Sequence, residues 1–180
     1  MGRLSGKTVG VFVAEGFEDL EFWVPLMRIR EEGARALVIG LSSETVTAKH
    51  CLTATPDVTA DQVDAATLDG LVVPGGWAPD KLRRSEDVLR ITRAVYEAGK
   101  PVGVICHGGW VAASAGIVRG MRVTGSRGIR DDMVNAGSTW VDEPAFRSGN
   151  VVWGRVVEDI PDFLRELIAA LVDHAQAAQR

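Results

Sequence analysis

Cys106 and His107 stand side by side between a run of apolar residues and two glycines. The apolar run 102–105 predicts a buried strand, and residues 110–115 are compatible with a helix. A cysteine between a strand and a helix is typical of a nucleophile elbow, a sharp turn that exposes a reactive side chain above a parallel sheet. The positive end of the following helix favours the thiolate. We therefore predict a nucleophilic Cys106 with a lowered pKa; the alternative is an inert, buried cysteine.

His107 is a candidate base and acid for this thiol, because an imidazole titrates near neutral pH. Neighbours on a turn need not face each other, so a structural histidine that caps the helix is the alternative. Glu18 follows the first predicted strand, and its carboxyl group could tune the thiol or exchange a proton with a substrate. It could instead complement a helix dipole, a role that Glu15, Asp19 and Glu21 also fit. The sequence alone does not rank these four acids.

Gly75 and Gly76 follow another buried strand and offer backbone N–H groups. Together with the N–H group of His107, they could bind an oxyanion formed when the cysteine attacks a carbonyl group. A simple tight turn is the alternative. No glycine-rich phosphate-binding motif occurs, and His50 and Cys51 have no partner ligands at metal spacing. We therefore expect neither a cofactor nor a metal.

Alternating strand and helix patterns run along the chain and must position these groups. Strands are predicted at 8–13, 36–40, 71–74, 102–105, 122–124, 144–147 and 150–153, with a small hairpin within 45–56. Helices are predicted at 24–33, 85–99 and 129–135, and from 161 onward. This order predicts an α/β protein, a three-layer α/β/α sandwich with a mostly parallel sheet, as a single domain over 1–180. Ligands bind beyond the carboxyl ends of such strands, where the acids at 15–18, the glycine pair and the cysteine converge.

Composition limits the classes of partner. The chain of 180 residues is 46% hydrophobic and 24% charged, with a net charge of -4, as in an ordinary globular protein. The sequence has no stripe of basic residues that would indicate a nucleic acid partner, and it has no apolar run long enough to span a membrane. The chain has no signal-peptide pattern, and its two cysteines form no disulfide framework. We expect a cytoplasmic protein that binds neither nucleic acid nor a membrane.

The chain resembles the PfpI family, the intracellular-protease-like group of the class I glutamine amidotransferase-like superfamily that also includes the DJ proteins. The similarity extends over nearly the whole chain. It is carried by residues 16–21 with Pro25, by 73–76 and 78–80, by 99–102, 105–108, 131–137, 140–143 and 149–150, and by Arg155, Asp159 and Pro161.

This resemblance implies a flavodoxin-like sandwich, assembly into dimers or higher homo-oligomers, and no cofactor. It also implies Cys106 as nucleophile, Glu18 as its acidic neighbour, His107 as the family's histidine, and Asp80 as an orienting acid supplied across a subunit interface. Peptidase, glyoxalase, deglycase and stress-protection activities have been assigned to members of the family.

The chain departs from the family's pattern around the predicted pocket. Gly109 stands where a proline is frequent, Ser126 replaces a common tyrosine, and Val157 replaces a common proline. Trp153 and Gly154 replace a pair of small, hydroxyl-bearing residues. We therefore expect an altered pocket wall.

The leading hypothesis is a cysteine-dependent enzyme that converts small reactive carbonyls, as a glyoxalase does with an α-oxoaldehyde. One alternative is a cysteine peptidase or amidohydrolase. Another is a non-catalytic thiol sensor or stress-protective protein, in which Cys106 is oxidised.

Overall fold

The computed structural model of the protein describes residues 2–178, and seven strands form its central sheet. The strands are β1 (Thr8–Phe12), β2 (Arg35–Gly40), β3 (Val46–Thr47), β4 (Thr53–Ala54), β5 (Val58–Thr59), β6 (Gly70–Val73), β7 (Val102–Ile105), β8 (Arg122–Val123), β9 (Thr139–Trp140), β10 (Ala145–Ser148) and β11 (Val151–Gly154). The helices are α1 (Asp19–Glu31), α2 (Ala78–Leu82), α3 (Glu86–Glu97), α4 (Gly109–Ser114), α5 (Arg130–Asn135) and α6 (Ile160–Ala177).

The sheet has the order β10-β11-β7-β6-β1-β2-β5 and is parallel except for the β10–β11 pair. Its central strands β6 and β7 are buried at every residue, as expected for strands covered on both faces. Helices α1 and α6 pack together over one face, and α3 and α4 pack together over the other. This arrangement confirms the predicted α/β sandwich with a mostly parallel sheet.

The chain reverses its direction of winding between β1 and β6, which are neighbours in the sheet. Strand order runs outward from β1 to β2 and β5, and then returns to β6 and β7 on the other side. The carboxyl ends on either side of such a switch point diverge and leave a crevice. The segments that follow β1, β6 and β7 meet there, as the sequence predicts.

The small hairpin expected within 45–56 is present as the antiparallel pair of β3 and β4, outside the main sheet. The strand predicted at 122–124 also lies outside it, because β8 pairs only with the short β9. In the part of the chain that the structure describes, no helix combines the length and the apolar character needed to cross a bilayer.

Helix α1 begins five residues earlier than predicted. Pro25 suggested a first turn near Val24, but Pro25 lies inside the helix. The Glu18 carboxylate accepts hydrogen bonds from the N–H groups of Leu20 and Glu21 and so caps the helix. A proline at this depth removes one backbone hydrogen bond, and packing of the buried face offsets that loss. The early start decides which acid of the 18–21 segment faces the crevice.

Candidate active site

Cys106 follows β7 directly and has a φ angle of 59°, in the left-handed region that few residues other than glycine adopt. The chain then passes through a short helical turn at 106–108 into α4. A Cβ atom at Gly108 would overlap the carbonyl oxygen of Val73, so the close approach of the turn to β6 requires glycine. The backbone thus has the strained strand-to-helix turn of a nucleophile elbow.

His107 faces the sulfur of Cys106, with its Nδ1 atom 3.3 Å from Sγ. Its ring packs edge-on against Trp110 at a centroid distance of 5.2 Å. Burial lowers the pKa of His107, and the positive charge of Lys49 lowers it further. The imidazole is therefore neutral near pH 7 and can accept a proton from the thiol.

Glu21 supplies a carboxyl group to the same site. Its side chain is fully buried on α1, and its Oε2 atom accepts a hydrogen bond of 2.8 Å from the N–H group of Gly75. Its Oε1 atom is buried without a hydrogen-bond partner among the described residues. Burial raises the pKa of Glu21 to about 7, and the neighbouring carboxylate of Glu18 contributes to the same shift. This carboxyl group can therefore exchange a proton at neutral pH.

Glu18 is not the acid nearest the thiol, and the assignment made from the sequence needs correction. Its Oε2 atom accepts both hydrogen bonds of the helix cap, each 2.9 Å long. The cap fixes Glu18 at the first turn, and Glu21, three residues later, projects from the helix towards Cys106. Glu18 remains at the edge of the same cavity, where its charge acts on Glu21.

The Cys106 thiol is hard to ionise while Glu21 carries a charge. Burial, together with repulsion from the Glu21 carboxylate, raises the pKa of Cys106 to about 12, whereas the backbone N–H groups of His107 and Gly76 act in the opposite direction. This shift is opposite to the lowered pKa that the helix position suggests. When Glu21 is protonated its repulsion disappears, so the thiol and the carboxyl group titrate as a pair.

The two glycines after β6 have different tasks. The N–H group of Gly75 is occupied by Glu21, so it does not serve as the oxyanion donor predicted from the sequence. The N–H groups of Gly76 and His107 act on the sulfur and remain candidates for that role. Gly76 has a φ angle of 81°, and a Cβ atom there would overlap the backbone of residues 16–18, so this turn requires glycine.

The side chains of Cys106, His107 and Glu21 line one cavity of about 760 Å³, together with Gly76 and Glu18. The tip of the β3–β4 hairpin forms part of its wall, because Asp19 accepts hydrogen bonds from the N–H groups of His50 and Leu52. Lys49, next to His50, also lines the cavity and brings an ammonium group to the site. Nothing in the sequence pattern predicts this charge there.

Some of the positions at which the sequence departs from the family's pattern lie in this cavity. Ser126 and Val157 line it, but Trp153 is fully buried in β11 and does not, which corrects the expected contribution of Trp153 to the pocket wall. Ile129 and Met133 occupy the space that a side chain at Gly109 would need.

Asp80 does not meet His107 within the chain. Its side chain is 61% exposed on α2 and forms an ion pair of 2.8 Å with Arg84. Among residues 2–178, no carboxyl group forms a hydrogen bond or ion pair with the His107 ring. The role of Asp80 at a subunit interface therefore stays a prediction.

One group of side chains has the composition of a metal site. Glu18, Asp19 and His50 place ligand atoms within 4.8 Å of one another. Both oxygens of Asp19 and one oxygen of Glu18 already accept backbone hydrogen bonds, which accounts for their positions without an ion. The expectation of no metal stays a prediction.

Residues 7–170 match the DJ-1/PfpI family, and the chain belongs to it. It is 41% identical to a deglycase of Thermococcus kodakarensis over 161 residues, which cover 89% of this chain and 97% of that protein. It is 39% identical to the deglycase PfpI of Pyrococcus furiosus over 158 residues, with 88% and 95% of the two chains covered. A crystal structure from Anabaena variabilis with DJ-1/ThiJ/PfpI-like and ferritin-like domains superposes with a TM-score of 0.90 at 32% identity. That match covers 92% of this chain and 48% of the two-domain chain.

Proposed function

We propose that this protein is a cysteine-dependent enzyme that acts on small reactive carbonyl compounds, as a deglycase or a glyoxalase does. The observation that carries the proposal is the Cys106 elbow, with Sγ 3.3 Å from His107 Nδ1 and a fully buried Glu21 beside it. The names of the archaeal relatives, which are deglycases, support the same class.

The first chemical step would join Cys106 to the carbonyl carbon. The thiol proton passes to His107 Nδ1 as sulfur attacks the aldehyde carbon of an α-oxoaldehyde. The aldehyde oxygen gains negative charge near the N–H groups of Gly76 and His107, and the His107 imidazolium then returns the proton to this oxygen, which yields a hemithioacetal and a neutral imidazole. A neutral imidazole and a neutral thiol suit this order of events, because the proton moves only as the carbon–sulfur bond forms.

The second step would move hydrogen between adjacent carbons. The Glu21 carboxylate, with a pKa of about 7, removes the proton from the carbon bonded to sulfur and returns a proton to the neighbouring carbon. The product is a thioester of an α-hydroxy acid. Water then cleaves the thioester, releasing the acid and restoring the Cys106 thiol, so that the reaction consumes one water and needs no cofactor.

We also propose that the working unit is a homo-oligomer in which Asp80 approaches His107 of a second copy. The support is chemical: the His107 ring has no carboxyl partner among the described residues, and an imidazole held in one tautomer is a better base. The exposed position of Asp80 leaves it available to a neighbouring chain.

The sensor hypothesis has less support than the enzyme hypothesis, because a sensor requires a thiol with a low pKa. The pKa of Cys106 is raised by burial and by Glu21. The peptidase hypothesis stays a prediction.

The test is a turnover assay of the purified protein with methylglyoxal, a glycated amino acid and a fluorogenic peptide. We expect loss of methylglyoxal with formation of lactate, no turnover in Cys106→Ser, and unchanged turnover in Cys51→Ser, since Cys51 is exposed and does not line the cavity. Peptide cleavage without oxoaldehyde turnover would replace the proposal by the peptidase hypothesis. Turnover that persists in Cys106→Ser would refute both.

A further inference from the structure

Exposed apolar side chains are concentrated at the mouth of the Cys106 cavity. In the part of the chain that the structure describes, six large apolar residues are exposed, and three of them line this one cavity: Leu20 at 46%, Leu52 at 48% and Trp77 at 63%. Grouped apolar side chains in contact with water are unfavourable and mark sites that bind a ligand or a partner. Since they surround a candidate nucleophile, a ligand is the simpler occupant.

Trp77 is held in place by its backbone. Its N–H group donates a hydrogen bond of 2.7 Å to the carbonyl oxygen of Gly16, and Gly76 before it adopts a φ angle of 81°. Its ring packs against Gly16, where a Cβ atom would come within 3.1 Å of the indole. The ammonium group of Lys49 lies 5.7 Å from the ring centroid. The indole is therefore positioned before any ligand arrives.

The acids at the start of α1 hold the backbone at the two leucines. The N–H group of Leu20 donates to Glu18 Oε2 at 2.9 Å, and that of Leu52 donates to Asp19 Oδ1 at 3.0 Å. An apolar surface that is preorganised loses little conformational freedom when a ligand binds. We call Leu20, Leu52 and Trp77 the apolar rim.

The charges around the rim select against an anion. Carboxyl groups of Glu18, Asp19 and Glu158 line the cavity, whereas Lys49 is its one lysine or arginine among the described residues. A negatively charged substituent would meet this excess of carboxylates at short range. An uncharged substituent would bury apolar surface without that repulsion.

We propose that Trp77 is a specificity-determining residue, and that the apolar rim selects α-oxoaldehydes with an uncharged aromatic or branched substituent over methylglyoxal. This inference rests on the proposed function. The dicarbonyl group would lie between Cys106 and His107, and the substituent would lie against the Trp77 indole.

The test compares kcat/KM for phenylglyoxal, carboxyphenylglyoxal and methylglyoxal. In the native protein we expect phenylglyoxal to be preferred to both others. In Trp77→Ala the preference over methylglyoxal should fall by roughly tenfold, the size of discrimination that an apolar pocket provides, and Trp77→Phe should retain part of it. Val134→Ala serves as the matched control, because Val134 is 46% exposed on α5 and lies outside the cavity.

An unchanged ratio in Trp77→Ala would overturn the proposal. So would a change of oligomeric state in Trp77→Ala by light scattering, which would make Trp77 an interface residue. If the native protein turns over none of the three aldehydes, the proposed function has failed, and the rim is tested by calorimetry on Cys106→Ser with acetophenone and acetone. A preference for acetophenone that Trp77→Ala removes would support the rim independently of turnover; equal binding of the two ketones would refute it.

Discussion

Glu21 and Cys106 approach each other beside the Cα atom of Gly75. A Cβ atom built on Gly75 would overlap Glu21 Oε2 and would lie 2.8 Å from the Cβ atom of Cys106. Three separate segments, the first turn of α1, the end of β6 and the elbow after β7, therefore meet at a point with no room for one further carbon atom. Two properties of the site follow: a shared titration and a strict need for glycine.

The shared titration predicts an unusual pH profile for the alkylation of Cys106. The pair loses its first proton at about pH 7 and its second at about pH 12. Between these values one proton is shared, so the fraction of thiolate does not change with pH. The rate with iodoacetamide, followed by mass spectrometry, should rise about tenfold per pH unit below pH 7 and then level off.

The control for this prediction is Glu21→Gln, which keeps the shape and the acceptor for Gly75 but removes the shared proton. Its profile should show one titration and no plateau starting near pH 7. The same plateau in both proteins, or a steady rise through pH 9 in the native protein, would contradict the coupling.

The need for glycine predicts that Gly75→Ala damages the site and the fold together. The added methyl group must displace the Glu21 carboxylate or the elbow, at a cost of about 1–3 kcal/mol in the free energy of unfolding. The alkylation plateau of Cys106 should disappear, because the pair is forced apart. Denaturant unfolding and the alkylation profile measure the two effects.

Gly149→Ala is the matched variant for this comparison. Gly149 has a φ angle of 62° with nothing within 4 Å of an added Cβ atom, so only the backbone penalty of about 1–2 kcal/mol applies. It should lose stability and keep the native alkylation profile. A Gly75→Ala protein that keeps the native alkylation profile would show that the close approach at Gly75 does not hold Glu21 and Cys106 together.

How far the sequence predicts this site depends on the element. Apolar runs on both faces specify β6 and β7, and the glycines after Cys106 specify the elbow, because these are local requirements. The choice between Glu18 and Glu21 is not local. It depends on where α1 begins, and the capping bonds of Glu18 shift that point from the position that Pro25 suggested.

The role of Gly75 shows a second limit. Two successive glycines after a strand predict available N–H groups, but the sequence does not show which acceptor will occupy each of them. The N–H group of Gly75 is used by an acid that lies 54 residues earlier in the chain. Contacts of this kind follow from the packing of α1 against the sheet, which no local pattern contains.

Glu21 should also destabilise the fold as the pH rises. Its pKa is raised by burial from 4.5 to about 7, so between these values unfolding releases a proton and the native protein loses stability with increasing pH. The Glu21→Gln protein does not lose stability in this way. Its free energy of unfolding should therefore increase relative to that of the native protein from pH 5 to pH 8. Urea unfolding at several pH values measures the difference; a pH-independent difference would contradict a buried, titrating carboxyl group.

Glu32→Gln serves as the comparison, because its stability relative to the native protein should change with pH in the opposite direction. Arg3 and Arg28 lower the pKa of Glu32 from 4.5 to about 2, so its contribution is present above pH 4.5 and is lost as the pH falls towards 2. Glu32→Gln should therefore be less stable than the native protein at pH 7, and the difference should shrink in acid. Parallel pH dependences in the two variants would show that neither arises from its own carboxyl group.

The shared-site proposal predicts complementation between two inactive chains. Asp80→Ala should lose oxoaldehyde turnover while staying folded, because its exposed carboxylate contributes little to stability but orients His107 of a neighbouring copy in the proposed oligomer. Mixing Asp80→Ala with Cys106→Ser chains should restore part of the turnover, since some interfaces would join an intact Cys106 and His107 to an intact Asp80. Arg84→Ala is the control: it removes the ion-pair partner of Asp80 and leaves the carboxylate in place, so turnover should persist. A monomer by light scattering with full turnover, or mixtures that remain inactive while both chains assemble, would refute the shared site and leave His107 to act without a carboxylate partner.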